Sequence, residues 1–292
     1  MNNEILITKA SGETAEFSET KLRSSLQHAG ASDEQIAEVI DEISDKLYEG
    51  ITTKKINRLA FNLLKESSRS IAAKYHLKQA IMELGPSGYP FEKYVGEILR
   101  YQGYSVRVGE IVQGQCVQHE IDVIAQIGNQ QLMIECKYHN QPGIFCDVKI
   151  PLYIQARFKD VEAQWLKFLG QEIKLYQGWV VTNTRFSTDA IKYGNCAGLI
   201  LIGWDYPAKG SLKDQIDTLG LFPITCLTSL TKNEKQQLLD RKIVLCKDIL
   251  HNEKLLEQIG VKSSRIDTIL QETRQLCKHL TSGEKKISIL KQ

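Results

Sequence analysis

The chain has 292 residues, of which 42% are hydrophobic and 25% charged, and its formal net charge at pH 7 is +2. This composition is ordinary for a globular protein with room for two domains and a smaller appendage. The absence of any run of 18 apolar residues argues against a transmembrane helix. We also expect no signal peptide, because the first residues lack a basic region followed by an apolar stretch.

The seven cysteines are scattered along the chain, and no two of them form a Cys-x-x-Cys pair. An odd number of unclustered cysteines favours reduced thiols over a disulfide framework. We therefore expect a cytoplasmic protein without a membrane partner.

Residues 1–85 predict a small β-hairpin followed by a helical bundle. Two short β-prone runs flank the turn residues Ser11-Gly12. Apolar residues then recur at helical spacing, and a capping box at Ser32-Asp-Glu-Gln35 opens one of the helices. The predicted helices cover 18–29, 33–47, a stretch opening at Thr53, and roughly 68–83.

This order of elements resembles the ATP-cone, the nucleotide-binding regulatory module of ribonucleotide reductases. The matching residues run from Ile7-Thr-Lys9 through Gly12 to Phe17-Ser-Glu-Thr-Lys21-Leu22, followed by Gly50-Ile-Thr-Thr-Lys54. The resemblance implies that Lys9 and Lys21 contact the phosphates of ATP or dATP, and that Thr53 lies near the base. The family usually shows Lys-Arg-Asp-Gly where this chain has Lys9-Ala10-Ser11-Gly12. A cone kept only for packing or dimerisation is the alternative.

Gly85-Pro-Ser-Gly-Tyr-Pro90 interrupts the helical pattern and predicts a linker. It leads directly into a helix that carries Glu92, so movement of the first segment is expected to reach the second.

Residues 119–139 predict two strands joined by a tight turn at Gly128-Asn129. Glycine tolerates a positive φ and asparagine often does, which suits a two-residue hairpin loop. With this loop, residues face each other when their numbers sum to 257, so Asp122 lies opposite Glu135. Like charges that face each other destabilise a sheet, and the pair therefore calls for a divalent cation.

Glu120 lies opposite Lys137 in the same register, and side chains alternate along a strand. Both therefore share the face of the two carboxylates. Mg²⁺ prefers carboxylate and water oxygens and would polarise a phosphate and activate a water. Lys137 would orient that water or stabilise developing charge. The reverse face is apolar and predicts a core made of Ile121, Val123, Ala125, Ile127, Leu132, Ile134 and Cys136.

The Asp122…Glu135-Cys-Lys137 pattern resembles the PD-(D/E)xK nuclease superfamily, and residues 88–104 and 178–190 resemble its Mrr-type restriction endonuclease branch. The resemblance spans roughly 88–230 and implies Mg²⁺-dependent cleavage of duplex DNA that leaves a 5′-phosphate. It implies catalytic roles for Asp122, Glu135 and Lys137, with Asp122, Glu135 and Glu92 as metal ligands. The family also has a glutamine after the helix that follows the lysine, and here only Gln155 offers itself.

The rest of the middle segment, 86–229, predicts a helix at 148–169 and two buried strands at 176–182 and 197–202, with a helix at 189–194 between them. A β-α-β unit beside a hairpin gives a mixed sheet with helices on both faces.

Residues 230–292 predict three or four short helices and carry 13 Lys and Arg against 8 Asp and Glu, a net +5. A stretch centred on Ile259-Gly-Val261 resembles a helix-hairpin-helix repeat, whose turn presents N–H groups to DNA phosphates. Basic side chains near it are candidate phosphate contacts: Lys262, Arg265, Arg274 and Lys278. A helical cap over the sheet edge is the alternative.

The sequence thus predicts an α/β protein with an ATP-cone-like domain at 1–85, an endonuclease domain at 86–229 and a basic helical region at 230–292. We expect a homo-oligomeric DNA endonuclease that uses Mg²⁺, is regulated by ATP or dATP and restricts foreign DNA. The alternative is a nucleotide-sensing DNA-binding regulator whose nuclease fold no longer cuts.

Overall fold

The structure is a computed structural model that describes residues 5–168 and 175–277. It is an α/β protein with a small N-terminal sheet and helices, a central mixed sheet and a C-terminal helical region, which confirms the predicted fold class. The predicted start of the first strand at Glu4, the end of the 148–169 helix and Lys278 lie outside these residues.

The N-terminal unit has a three-stranded sheet in the order β2-β1-β3, with β1 antiparallel to β2 and parallel to β3. The hairpin was predicted, whereas the two-residue β3 was not. Its elements are β1 (Leu6–Thr8), β2 (Thr14–Glu16), α1 (Glu19–His28), α2 (Asp33–Ser44), β3 (Ile51–Thr52), α3 (Thr53–Ser67), α4 (Arg69–Tyr75) and α5 (Leu77–Met82).

Local capping explains most of these boundaries. The predicted capping box of Ser32 and Gln35 is present at the start of α2. Thr52, rather than Thr53, caps α3 by accepting the Lys55 N–H. The single helix expected over 68–83 is two helices that meet at His76, where the backbone leaves the helical range.

The central sheet has five strands in the order β10-β8-β6-β5-β4. Strands β6, β8 and β10 are parallel, and β4 and β5 add antiparallel to one side, so the sheet is mixed as predicted. The long edge strand β4 had no counterpart in the prediction. The strands are β4 (Ser105–Gln113), β5 (Gln118–Ile127), β6 (Gln130–Lys137), β8 (Leu175–Thr182) and β10 (Ile200–Ile202), and β7 (Phe145–Cys146) pairs separately with β9 (Arg185–Phe186).

Helices cover both faces of this sheet. On one face α6 (Tyr89–Tyr101) buries Phe91, Tyr94 and Val95 in a core shared with strand residues such as Trp179. On the other face α7 (Lys149–Phe168) and α8 (Thr188–Cys196) enclose a second core. A sheet buried on both sides forces any polar residue in its strands to find a partner inside the protein.

The C-terminal region contains α9 (Leu212–Leu219), a short 3₁₀ turn (Ile224–Cys226), α10 (Lys232–Asp240), α11 (Cys246–His251), α12 (Lys254–Gln258) and α13 (Ser263–Leu276). Its apolar side chains belong to the same core as α6 and as Leu77 and Ile81 of α5. The helices after 230 therefore pack into the body of the protein and are more than an appended tail. The domain limits at 85 and 229 remain predictions.

In the part of the chain that is described, no helix is long and apolar enough to cross a membrane.

Candidate active site

The β5–β6 hairpin has the register that the sequence predicts. Gly128 takes a φ of +53° in the two-residue loop, as a hairpin turn with glycine first requires. The pairs run from Ile127 opposite Gln130 to Val123 opposite Ile134, and their numbers all sum to 257. The next position on each strand is Asp122 and Glu135, so the hairpin brings the two carboxylates together.

Asp122 also bonds directly to the neighbouring strand. Its carboxylate accepts the backbone N–H of Cys136 at 2.7 Å. This hydrogen bond holds the side chain against β6, beside Glu135.

The apolar face of the hairpin departs from strict alternation at this point. Val123 and Cys136 pack with α6, as expected, whereas Ile121 packs with the core under α7. The prediction that Ile121 and Val123 share a face is therefore wrong. Gly109 of β4, between the residues that pair with Ile121 and Val123, has a φ of +68°. A left-handed residue distorts a strand pair locally, which accounts for the change of face.

Ile127, at the end of β5, is 38% exposed and does not join the predicted core.

Glu135 is the most enclosed acid of the site, with only 7% of its surface exposed. Its Oε1 lies 3.0 Å from the Lys137 ammonium, and its Oε2 lies 2.7 Å from the Arg157 guanidinium. Buried charge is tolerated only with partners of this kind. The carboxylate is therefore fixed in place by two cations.

Burial and mutual repulsion raise the pKa values of the neighbouring acids. Burial, followed by the charge of Glu135, raises the pKa of Asp122 to about 6. Burial, followed by the charges of Asp122, Glu120 and Glu135, raises the pKa of Glu92 to about 7. Glu92 on α6 thus lies within reach of the charges of this cluster, which carries an excess of negative charge when all members are ionised. Its role as a metal ligand stays a prediction.

The same surroundings favour the charged form of Lys137. Burial lowers the pKa of its ammonium, but the adjacent Glu135 and Asp122 carboxylates outweigh that effect and the pKa is raised. Lys137 is therefore a fixed positive charge at neutral pH, suited to bind an anion and not to accept a proton.

His139 and Glu120 remain peripheral. Burial, with the Lys137 charge as a second cause, lowers the pKa of His139. Its backbone N–H and C=O both bond to the Asn183 side chain, at 2.9 and 2.7 Å. Glu120 is exposed.

Arg157 is the site residue that the sequence reasoning missed. It lies on α7 and also donates to the backbone carbonyl of Glu120. A signal was available, because Ile154, Phe158 and Val161 form the buried stripe of α7 and Arg157 falls within it at helical spacing. An arginine in such a stripe needs a buried acid as partner.

Asp160, three residues after Arg157 on α7, connects this helix to the β4–β5 hairpin by hydrogen bonds. It accepts a hydrogen bond from the ring of His119 at 2.7 Å and from the backbone N–H groups of Cys116 and Val117. These bonds, that of His119 first, lower the pKa of Asp160 to about 2. The helix is thereby held in the position that brings Arg157 to the acids.

Gln155, the candidate for the family's glutamine, also lies on α7. Its Oε1 atom is buried and has no hydrogen-bond partner within the described part of the chain.

The cone residues lie apart from this cluster. Lys9 is exposed and 3.4 Å from Glu13, Lys21 is exposed at the start of α1, and Thr53 is the first residue of α3. No bound nucleotide tests these three assignments, which stay predictions.

The cone nevertheless contacts the active-site side of the molecule at two points. The β1–β2 turn lies against the loop after β6, where a Cβ on Gly143 would be 3.6 Å from the Ala10 carbonyl oxygen. The hydroxyl of Tyr138, the residue after Lys137, donates to the Met82 carbonyl at the end of α5 at 2.5 Å. The N-terminal unit and the nuclease region are therefore connected by these contacts as well as by the predicted linker.

Three family profiles match the chain. Residues 5–81 match the ATP cone domain, 85–205 a restriction endonuclease (the Mrr catalytic domain), and 222–277 the AF1548-like C-terminal domain. An uncharacterized protein of Archaeoglobus fulgidus is 34% identical over 183 residues, which are 62% of this chain and 99% of that protein. A crystal structure titled as a protein of unknown function, AF1548, has 34% identity and a TM-score of 0.54, and covers 66% of this chain and 99% of its own.

The central sheet and the matching profile define the class: the chain carries a nuclease domain of the restriction endonuclease type. More particularly, the chain carries an ATP cone domain in front of an Mrr-type catalytic domain, as the sequence predicted, and it belongs to the same family as the Archaeoglobus fulgidus protein.

Proposed function

We propose that the protein is a Mg²⁺-dependent DNA endonuclease whose activity is controlled by ATP or dATP. The observation that carries the proposal is the pairing of Asp122, which is half-buried, with the buried Glu135. Burial, followed by the charge of Glu135, raises the pKa of Asp122 to about 6. Two acids forced together in this way are typical of sites that bind a divalent cation.

The donor set fits magnesium. Mg²⁺ takes hard oxygen ligands, commonly one or two carboxylates completed by water and substrate phosphate. Asp122 and Glu135 would hold the ion, with Glu92 as a further ligand. Burial and then the charges of Asp122, Glu120 and Glu135 raise the pKa of Glu92 to about 7, and a bound cation would offset the repulsion from these acids. When bound, the ion polarises the scissile phosphate and lowers the pKa of its water.

The remaining residues supply position and charge. Lys137, held 3.0 Å from Glu135, is placed to bind a phosphate oxygen or the attacking water and to stabilise charge in the transition state. Arg157 holds Glu135 from the opposite side at 2.7 Å and fixes the direction of its carboxylate.

One observation favours the alternative, a nucleotide-sensing DNA-binding protein that does not cut. Both oxygens of Glu135 are engaged by cations. Within residues 5–168 and 175–277, no three His, Cys, Asp or Glu residues converge tightly enough to hold a metal ion. For the enzyme, Mg²⁺ has either to bind a remaining lone pair of a Glu135 oxygen or to displace one of the two cations.

Control by nucleotide is supported by the ATP-cone match and by the contact of its β1–β2 turn with the loop after Lys137. Lys9 and Lys21 would bind the nucleotide phosphates, with Thr53 near the base. Binding at this turn would alter the loop around Gly143, and hence the setting of Lys137. Duplex DNA as substrate, restriction of foreign DNA as the role and a homo-oligomeric state belong to the same proposal.

Calorimetry with Mg²⁺ separates the two candidates without relying on cleavage. The wild type should bind Mg²⁺, and Asp122→Asn should bind it at least tenfold more weakly. Lys137→Ala should retain binding, because an ammonium is not a ligand and its loss frees an oxygen of Glu135. Absence of Mg²⁺ binding by the wild type, with and without DNA, would favour the non-cutting alternative.

A further inference from the structure

A cavity of about 300 Å³ lies between the N-terminal unit and the C-terminal helices, outside the nuclease site. Its lining consists of Lys65, Arg69, Thr228, Ser229, Arg265 and Thr268. That volume is at the lower end for small-molecule sites and equals roughly ten waters. All six residues are hydrogen-bond donors or cations, and none is an acid.

The charge in this cavity is only partly neutralised. Arg265 is held by the Glu234 carboxylate, at 2.5 and 3.0 Å, and by the Ser229 carbonyl. Lys65 and Arg69 are exposed and have no ion-pair or hydrogen-bond partner among the residues that the structure describes. Two unpaired cations therefore point to a negatively charged occupant.

The hydroxyls of the cavity indicate the same chemistry. The Oγ1 atom of Thr228 and the Oγ atom of Ser229 are buried and have no partner in the described structure. Buried hydroxyls without a partner require an explanation, such as an ion or water that binds there. The backbone N–H groups of the same two residues are already used by the Glu272 carboxylate, at 2.7 and 2.9 Å.

We propose that this cavity binds the phosphate groups of a small phosphorylated ligand through Lys65 and Arg69, with the enclosed hydroxyls of Thr228 and Ser229 reaching the ligand by a change of side-chain rotamer. Phosphate offers several acceptor oxygens, which suits lysine, arginine and hydroxyl donors. Such a ligand would bridge α3 and α4 to the segment just before α10, and would thus tie the N-terminal unit to the C-terminal region. The site is separate from Lys9 and Lys21 and does not depend on cleavage of DNA.

Tripolyphosphate is the probe for this site, and calorimetry on the full chain measures its affinity. Because a charge-assisted hydrogen bond contributes on the order of a tenfold change in affinity, we expect Arg69→Ala and Lys65→Ala each to weaken binding about tenfold. Arg58→Ala removes an exposed cation from the same helix as Lys65, outside the cavity, and should bind as the wild type does.

The titration is repeated in the Lys9→Ala/Lys21→Ala background, so that binding to the cone does not enter the result. In this variant the cavity should bind tripolyphosphate as tightly as it does in the wild type, and Arg69→Ala should still weaken that binding about tenfold. No binding in that background, or equal binding with Arg69 and Lys65 replaced, would overturn the proposal. A duplex oligonucleotide that displaces the probe in a manner dependent on Arg69 would overturn the small-ligand assignment and place DNA there instead.

Discussion

The guanidinium of Arg157 lies 2.7 Å from Oε2 of Glu135, so an arginine from α7 and an acid from β6 form a buried ion pair in the candidate active site. The side chains of the two residues are only 12% and 9% exposed. When a metal ion or substrate binds, Glu135 therefore has to keep Arg157 as its partner or gain another cation in its place.

Replacement of Arg157 by alanine should reduce cleavage at least tenfold, because the Glu135 carboxylate loses the partner that orients it. Mg²⁺ should bind no more weakly, since a competing cation is removed. The free energy of unfolding should fall by about 1–3 kcal/mol, as is usual when a buried charged group loses a partner. Plasmid cleavage, calorimetry and urea unfolding measure the three effects.

Lys159→Ala is the matched control, because Lys159 lies on the same helix and pairs at the surface with Glu162. It should be close to wild type in all three assays. Wild-type cleavage by Arg157→Ala would remove Arg157 from the site.

The stability of the protein should depend on pH through Glu92. Its pKa is raised from 4.5 to about 7, so between these values the folded state binds the proton more tightly than the unfolded state. Stability therefore falls as pH rises from about 4.5 to 7 and is level above that range. Glu92→Gln should lack this pH dependence. The contribution of Glu92 is the difference between the wild type and Glu92→Gln when the melting temperature of each is measured as a function of pH.

Magnesium should oppose this loss. Since the ion competes with protons for the same oxygens, the rise in melting temperature on adding Mg²⁺ should be larger at pH 8 than at pH 5.5. An equal rise at both pH values would show that Mg²⁺ acts elsewhere on the protein.

The sequence was sufficient for the elements whose determinants are local. The register of the β5–β6 hairpin follows from its two-residue loop, and the start of α2 follows from its capping box. Both features depend on residues within a few positions of each other, so both could be predicted. The hairpin register in turn gave the placement of Asp122 opposite Glu135.

Features that depend on distant partners were missed. Strand β4 is an edge strand in which exposed and half-buried residues alternate, so none of its residues occupies a buried core position that would mark it as a strand. Arg157 reaches Glu135 through the packing of α7 on the sheet and through the contacts of Asp160 with the β4–β5 hairpin, which join residues far apart in the sequence. The C-terminal helices looked like a basic tail by charge, although their apolar residues complete the main core.

ATP or dATP should raise the melting temperature of the wild type in proportion to the logarithm of its concentration. At a hundredfold excess over Kd the stabilisation is about 2.7 kcal/mol. Lys9→Ala/Lys21→Ala should show a smaller shift, because only the Lys65/Arg69 cavity then remains to bind the phosphates, and the further substitution Arg69→Ala should remove what is left. Lys46→Ala is the control, since Lys46 pairs with Glu42 four residues away, as Lys9 pairs with Glu13. No shift in the wild type at millimolar nucleotide would mean that the cone has only a packing role.

The link between the cone and the nuclease can be weakened at Tyr138. Tyr138→Phe removes the 2.5 Å hydrogen bond to the Met82 carbonyl, at a cost of about 1 kcal/mol in stability. Nucleotide affinity should be unchanged, whereas the effect of nucleotide on cleavage should be smaller. Tyr75→Phe loses a hydroxyl bonded within the cone, to Asn57, and should keep the full effect. Equal responses in the two variants would exclude Tyr138 from the coupling.

Cleavage of supercoiled plasmid in Mg²⁺ by the wild type, Asp122→Asn and Glu120→Gln tests the central claim most directly. Both substitutions remove one carboxylate charge from β5, two residues apart, but only Asp122 accepts the Cys136 N–H beside Glu135. Methylated and unmethylated plasmid, with and without ATP, cover the conditions under which a restriction enzyme would act. The account predicts nicked or linear DNA with the wild type and Glu120→Gln, and intact plasmid with Asp122→Asn. Cleavage by Asp122→Asn at the wild-type rate, or intact plasmid with the wild type under every condition, would contradict it.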